Sequence, residues 1–215
     1  GISEKYNDKV IEIGNIVREE IINTKVNNNQ NYKINEIKIL VLGGSQAAKV
    51  FAIKLPEIFK KLKQEGSLIK IYQQCQNSQN VQLSKFYQNE KIEHELFNFT
   101  DNIINYYSKV NLVITRSGAS VLGELINFKI PFISIPLTTS ADNHQYKNAE
   151  FYSKKGYGYL VEEKDINKRL FELLISILKD KLSLQNIISN QRQHSDKNIF
   201  KNLSIHIEKF VNEKN

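Results

Sequence analysis

Ile37-Lys38-Ile39-Leu40-Val41-Leu42-Gly43-Gly44-Ser45-Gln46 is the stretch that decides the fold. Its first six residues form a short, mostly branched apolar run, the pattern of a parallel strand buried on both faces. Gly43-Gly44 ends that run in a tight turn, since glycine accepts positive φ and lets other groups approach the backbone closely. A helical period follows from Ala47 to Gln64, with Val50, Ile53, Leu55, Ile58, Phe59 and Leu62 on its apolar side.

The alternation then repeats down the chain. Strand-like runs are expected at Leu68–Tyr72, Glu93–Asn98, Asn111–Thr115, Pro131–Pro136 and Tyr157–Val161. Helical patterns lie between them at Ser78–Gln88, Asp101–Tyr107, Ala119–Asn127 and Asn143–Lys155, the second capped by Thr100 or Asp101. From Asp165 onward the pattern reads as helix to the end. Strands alternating with helices predict an α/β fold, a Rossmann-like parallel sheet with helices on both faces. Upstream, residues 1–30 open in a mixed helical pattern and close in the polar run Asn27-Asn28-Asn29-Gln30, a surface loop or linker.

Composition narrows the function classes. The 215 residues carry a net charge of +7, but no dense Lys/Arg block of the kind that marks a nucleic-acid arm. A solvated lysine-rich surface explains that charge, and weak attraction to anionic lipid follows from it. Cys75 is the single cysteine, so an internal disulfide is impossible and a reducing compartment fits. With no apolar run of membrane-spanning length and no signal-peptide pattern, the expectation is a soluble, cytoplasmic chain. The absence of Met and the start at Gly1 suggest a fragment, a processed chain or a trimmed one.

Ligands of open parallel sheets bind where strand ends lead into helices, so the chemistry is sought in those loops. Gly43-Gly44-Ser45-Gln46 opens a helix whose free N–H groups suit a phosphate, although a structural turn accounts for it equally. Thr115-Arg116-Ser117-Gly118-Ala119-Ser120 repeats the arrangement. Glu124, further along that helix, is either a solvated carboxylate or an acceptor for two ribose hydroxyls. Ser140 to Ala149 holds amides and carboxylates that either cap a helix or read sugar hydroxyls. His144 lacks an obvious nucleophile partner, which favours a structural or binding role over that of a general base. Neither a Cys/His cluster with metal spacing nor an H-E-x-x-H or G-x-S-x-G motif occurs. Three such loops on one sheet edge together suit a nucleotide diphosphate bearing a polar group.

These residues resemble the C-terminal, donor-binding domain of the MurG family. The resemblance rests on Gly14-Asn15-Ile16-Val17-Arg18, Gly43-Gly44-Ser45-Gln46, Phe99-Thr100-Asp101-Asn102-Ile103, Arg116-Ser117-Gly118-Ala119 with Glu124, and Asp142 to Ala149 with Gln145 and Asn148. Their order and spacing agree over roughly residues 10 to 210. The resemblance implies the C-terminal half of a two-domain glycosyltransferase B-type fold. It divides the chain into a leading segment and linker (1–30), a UDP-sugar domain (31–195) and a C-terminal helix (196–215).

It also implies a hexosyltransferase that moves N-acetylglucosamine, with inversion, from UDP-N-acetylglucosamine to the lipid-linked muramyl-pentapeptide of cell-wall synthesis. Carried over by position, Arg18 and Ser45, with Gln46 beside it, would meet the diphosphate. The backbone at Thr100 would read the uracil edge. Gly118, Ala119, Ser120 and Val121 would line the phosphates, Glu124 would hold the ribose and Gln145 the sugar hydroxyls. No cofactor or metal is implied, nor any nucleic-acid partner. The catalytic base and the acceptor site would belong to an N-terminal domain outside these residues. The implied location is the inner face of a bacterial membrane, held peripherally at its anionic surface. Ile16, Ala47 and Val121 stand where the family has proline, glycine and, in many members, threonine. A degenerate nucleotide-sugar binder, or another nucleotide-sugar enzyme of this architecture such as a glycolipid synthase or epimerase, remains as an alternative.

Overall fold

A computed structural model describes residues 10–11, 13–24, 36–180 and 182–212, except for the side chains of residues 45–48. The polar run Asn27–Gln30 lies outside the described residues. The chain runs α1 (Glu19–Asn23), β1 (Glu36–Leu42), α2 (Gly44–Gln64), β2 (Leu68–Gln74), α3 (Asn77–Asn89), β3 (Glu93–Phe97) and α4 (Ile103–Tyr107). It continues through β4 (Leu112–Thr115), α5 (Ala119–Phe128), β5 (Phe132–Ser134), α6 (His144–Lys154), β6 (Tyr159–Leu160), α7 (Phe171–Lys179), α8 (Leu182–Arg192) and α9 (Ile199–Asn212).

The six strands form one sheet in the order β3-β2-β1-β4-β5-β6, with every neighbouring pair parallel. The expected α/β architecture is therefore present. Its core follows from the period of two along each strand. Ile37, Ile39 and Val41 of β1 join Leu112 and Ile114 of β4 on one face, under Phe51, Leu55 and Phe59 of α2 and Leu174 and Ile177 of α7. Leu40 and Val113 point the other way, under Leu122, Leu125 and Ile126 of α5 with Ile21 of α1. Both faces are covered, which is why the central strands read as continuous apolar runs. None of the described helices is long and apolar enough to cross a membrane.

Three local expectations are corrected. Helix α4 starts at Ile103, and its cap is Asn102, whose side chain accepts from the Asn105 N–H at 3.4 Å. Thr100 is occupied one turn earlier, accepting from the Asn102 N–H at 3.1 Å. Helix α6 starts at His144, because Asp142 and Asn143 take left-handed φ values of 47° and 55° in a tight turn before it. The segment after Asp165 is not one continuous helical run. Asp180 is extended, and its carboxylate and carbonyl accept from the Leu182 N–H and the Ser183 hydroxyl at 3.0 and 2.8 Å, ending α7 and starting α8. A second break at residues 193–198 separates α8 from α9.

Register places the site. Leu42 of β1 pairs with Thr115 of β4, so the glycine turn and the Arg116 loop leave the sheet side by side. This is the point at which strand order reverses direction, and it opens the crevice in which doubly wound sheets hold ligands.

Candidate donor-binding cleft

A cleft of about 610 Å³ lies at these carboxyl ends, walled by the loops after β1, β3, β4 and β5 together with Gln74 at the end of β2 and Arg18. That volume falls within the usual range for a small-molecule site. Helices α2 and α5 both present their amino ends to it, through Gly43, Gly44 and Gly118. The residue before each helix is a glycine, which has no side chain to cap the first-turn N–H groups, of which the Gly44 N–H is taken by Gln74. Those donors, with the positive dipole end behind them, are a natural place for a diphosphate. Gly44 takes φ 63°, as the turn requires, whereas Gly43 stays in the right-handed region at −89°. The turn is anchored from β2, where the Gln74 side chain accepts from the Gly44 N–H at 3.2 Å and donates to the Asn98 carbonyl at 3.2 Å.

Of the anticipated residues, Arg18, Thr100, Gly118, Val121, Glu124 and Gln145 line this cleft. Ala119 and Ser120 lie exposed on the first turn of α5, outside the cleft wall. The side chains of Ser45 and Gln46 lie outside the described residues. His144 is exposed, with Nδ1 2.7 Å from the Ala141 carbonyl, and it takes no part in the cleft wall.

Glu124 is held from two sides. Arg18 Nε donates to Oε1 at 2.9 Å, and the Tyr107 hydroxyl donates to Oε2 at 3.0 Å. Tyr107 is 1% exposed. Burial pushes its phenol up and the Glu124 charge adds to that, so it stays a neutral donor. Bonding through Nε leaves the terminal nitrogens of Arg18 as further donors in a fixed fork. Loss of the hydroxyl in Tyr107→Phe removes one hydrogen bond to a charged group, about 1.5 kcal/mol. Scanning calorimetry should then show a melting midpoint lower by about 3–6 °C.

Gln145 does more than face a ligand. Its amide oxygen accepts from the Ser117 N–H at 3.3 Å and the Leu137 N–H at 3.0 Å, and Asn148 donates to the Ser117 carbonyl at 3.1 Å. The loops after β4 and β5 are thereby joined, and the carbonyl oxygen of Gln145 is engaged in joining them.

Sequence reasoning assigned no role to Arg116 or Tyr107. The Arg116 side chain is folded inward, 6% exposed, where Nη1 donates to the Ile135 and Pro136 carbonyls at 3.1 and 3.2 Å. Nη1 also lies 2.6 Å from Glu163 Oε2, and the guanidinium sits 4.8 Å over the Phe51 ring. Its Nε and Nη2 are buried with no hydrogen-bond partner among the described residues, and Arg116 is one of the residues lining the cleft. Gln74 was also missed, although a polar residue closing the apolar strand Leu68–Gln74 on the ligand-binding edge is a usable signal.

Residues 38–203 match the family model described as the glycosyltransferase family 28 C-terminal domain. The chain belongs to that family. It is 35% identical over 210 residues to the UDP-N-acetylglucosamine–N-acetylmuramyl-(pentapeptide) pyrophosphoryl-undecaprenol N-acetylglucosamine transferase of Pelagibacter ubique, covering 97% of this chain and 58% of that protein. The enzyme of the same name from Rickettsia bellii is 35% identical over 187 residues, 85% of this chain and 52% of that protein. The chain thus spans about half the length of the curated relatives it matches. In fold it is similar to Acinetobacter baumannii MurG, with a TM-score of 0.74 at 24% identity over 85% of this chain and 55% of that one. It is similar too to Staphylococcus aureus MnaA in a co-structure with UDP, with a TM-score of 0.68 at 15% identity over 97% of this chain and 56% of that one.

Proposed function

We propose that this chain binds UDP-N-acetylglucosamine as the donor-side part of an inverting N-acetylglucosaminyltransferase acting on the lipid-linked muramyl-pentapeptide. The observation that carries the reading is one cleft in which two glycine-capped helix ends face Arg18, with Glu124 beside it. The names of the 35% identical relatives supply the donor sugar and the acceptor. In this reading the pyrophosphate rests on the amino ends of α2 and α5 and meets the terminal nitrogens of Arg18. Glu124 accepts from the ribose hydroxyls, the Thr100 loop lies along the uracil, and the Gln145 amide nitrogen donates toward the sugar.

The chemistry then follows. As the acceptor hydroxyl attacks the anomeric carbon, the bond to the diphosphate breaks and negative charge grows on the leaving oxygen. Fixed N–H donors and a guanidinium already aimed at that oxygen stabilise the charge without reorganising. The base and the acceptor site lie outside these residues, and bringing the partners together is itself a large part of catalysis. The anionic inner face of the membrane is the proposed place of action.

Two measurements test this. Titration calorimetry of the chain with UDP-N-acetylglucosamine should show saturable binding, with UDP competing. A radiolabelled transfer assay should show little or no product from the chain alone. Absence of saturable heat with either nucleotide overturns the donor reading, and normal turnover overturns the need for a second part.

A further inference from the structure

The break between α8 and α9 is built around Asp196, which is 5% exposed and lies outside the cleft wall. Its Oδ1 accepts from the Asn15 backbone N–H at 3.1 Å. Its Oδ2 accepts from Asn15 Nδ2 at 3.2 Å and Asn127 Nδ2 at 2.7 Å, and pairs with His194 Nε2 at 2.8 Å. Asn127 returns a bond, its Oδ1 accepting from the Asp196 N–H at 3.1 Å. Gly14 takes φ 91°, and a Cβ there would meet Asp196 Oδ1 at 2.5 Å, so the backbone is pressed against the carboxylate. Tyr152 of α6 closes the grip by donating to Asn15 Oδ1 at 3.0 Å.

We infer that Asp196 is a positioning residue for the donor cleft, a clasp that sets Arg18 against Glu124 from outside the cleft. The inference rests on the reading of those two residues as donor contacts. Arg18 lies three residues beyond Asn15, and Val17 between them is buried. Glu124 lies one turn before Asn127 on α5. The same carboxylate thus holds the segment that carries Arg18 and the helix that carries Glu124, across 181 and 69 residues of chain.

The chemistry suits that task. Burial alone would raise the Asp196 carboxyl, but hydrogen bonds from Asn127, His194 and Asn15 outweigh it and hold it below the usual carboxylate range. It is therefore ionised at neutral pH, and charge-assisted bonds from converging donors fix geometry more firmly than apolar contact does. An asparagine in its place turns an N–H group toward donors that need an acceptor.

The test is a double-mutant cycle on UDP binding by the 215-residue chain, read by calorimetry. Asp196→Asn should weaken binding about tenfold in the native background and less than twofold when Arg18 is already alanine. Equal losses in both backgrounds overturn the inference, because Asp196 then acts on the fold at large. Asn127→Ala removes one arm of the clasp and carries the same cycle should Asp196→Asn not fold. A second readout is independent of ligand. The Arg18 Nε–H resonance in a nitrogen-15 spectrum, assigned through Arg18→Lys, should shift and broaden in Asp196→Asn or Asn127→Ala. An unchanged resonance overturns the inference even where binding changes. Failure of the native chain to bind UDP, with that resonance still shifting, overturns the donor reading and leaves the clasp standing.

Discussion

Glu124→Ala should bind UDP about a hundredfold more weakly than the native chain and should lose the preference for UDP over 2′-deoxy-UDP. The size follows from the bonds at stake. A hydrogen bond to a charged group contributes about 1.5–3 kcal/mol, and a carboxylate facing a ribose can accept two of them. A total near 3 kcal/mol is about a hundredfold in affinity. Stability should fall as well, because the buried Tyr107 hydroxyl loses its acceptor, which costs about 1–2 kcal/mol. Glu124→Gln keeps an acceptor but not the charge, and its affinity should fall between the two. Calorimetry with both nucleotides checks this directly. A Glu124→Ala chain that still favours UDP over its deoxy analogue would place the ribose elsewhere.

Part of that cleft is legible in the amino-acid sequence alone, and the reason is periodicity. The central strands β1, β4 and β5 lie between two apolar layers and stand out as short apolar runs, so the loops after them can be named as binding loops. The edge strand β6 lies inside the expected run Tyr157–Val161, but the break at residues 193–198 is set by hydrogen bonds over long sequence separations, for which a local window has no signal. The same limit separates the site residues. Gly118 and Glu124 belong to one loop-and-helix unit and can be placed together from their spacing. Tyr107 reaches Glu124 from another helix, 17 residues earlier, and a buried tyrosine reads locally as core. Gln145 can be read as a sugar contact, whereas its bonds to Ser117 and Leu137 depend on how two loops fold over one another. Arg18 is placed by resemblance. What holds it, Asn15 and Asp196, involves opposite ends of the chain.

Arg116→Leu should be the most destabilising of these changes, because it removes a buried cation and leaves its partners behind. Glu163 would keep its charge at 20% side-chain exposure, and the Ile135 and Pro136 carbonyls would lose their donor. Removing one member of a buried pair costs about 3–5 kcal/mol, with the lower end suited to the partly exposed Glu163. A loss of about 3 kcal/mol corresponds to a melting point lower by roughly 6–12 °C for a domain of this size. A shift under about 2 °C, less than 1 kcal/mol produces at this size, would show that the pair contributes little. Donor binding decides what else Arg116 does. Its Nε and Nη2 are buried without partners among the described residues, and Arg116 is one of the residues lining the cleft. Glu163→Gln leaves the guanidinium in place on its two carbonyls and removes the opposing charge. If Arg116 acts on the diphosphate through its field, Glu163→Gln should bind UDP a few-fold more tightly and the gain should shrink with added salt. If Arg116 only braces the loops after β4 and β5, Glu163→Gln should bind no more tightly than the native chain, and calorimetry at two ionic strengths separates the two roles.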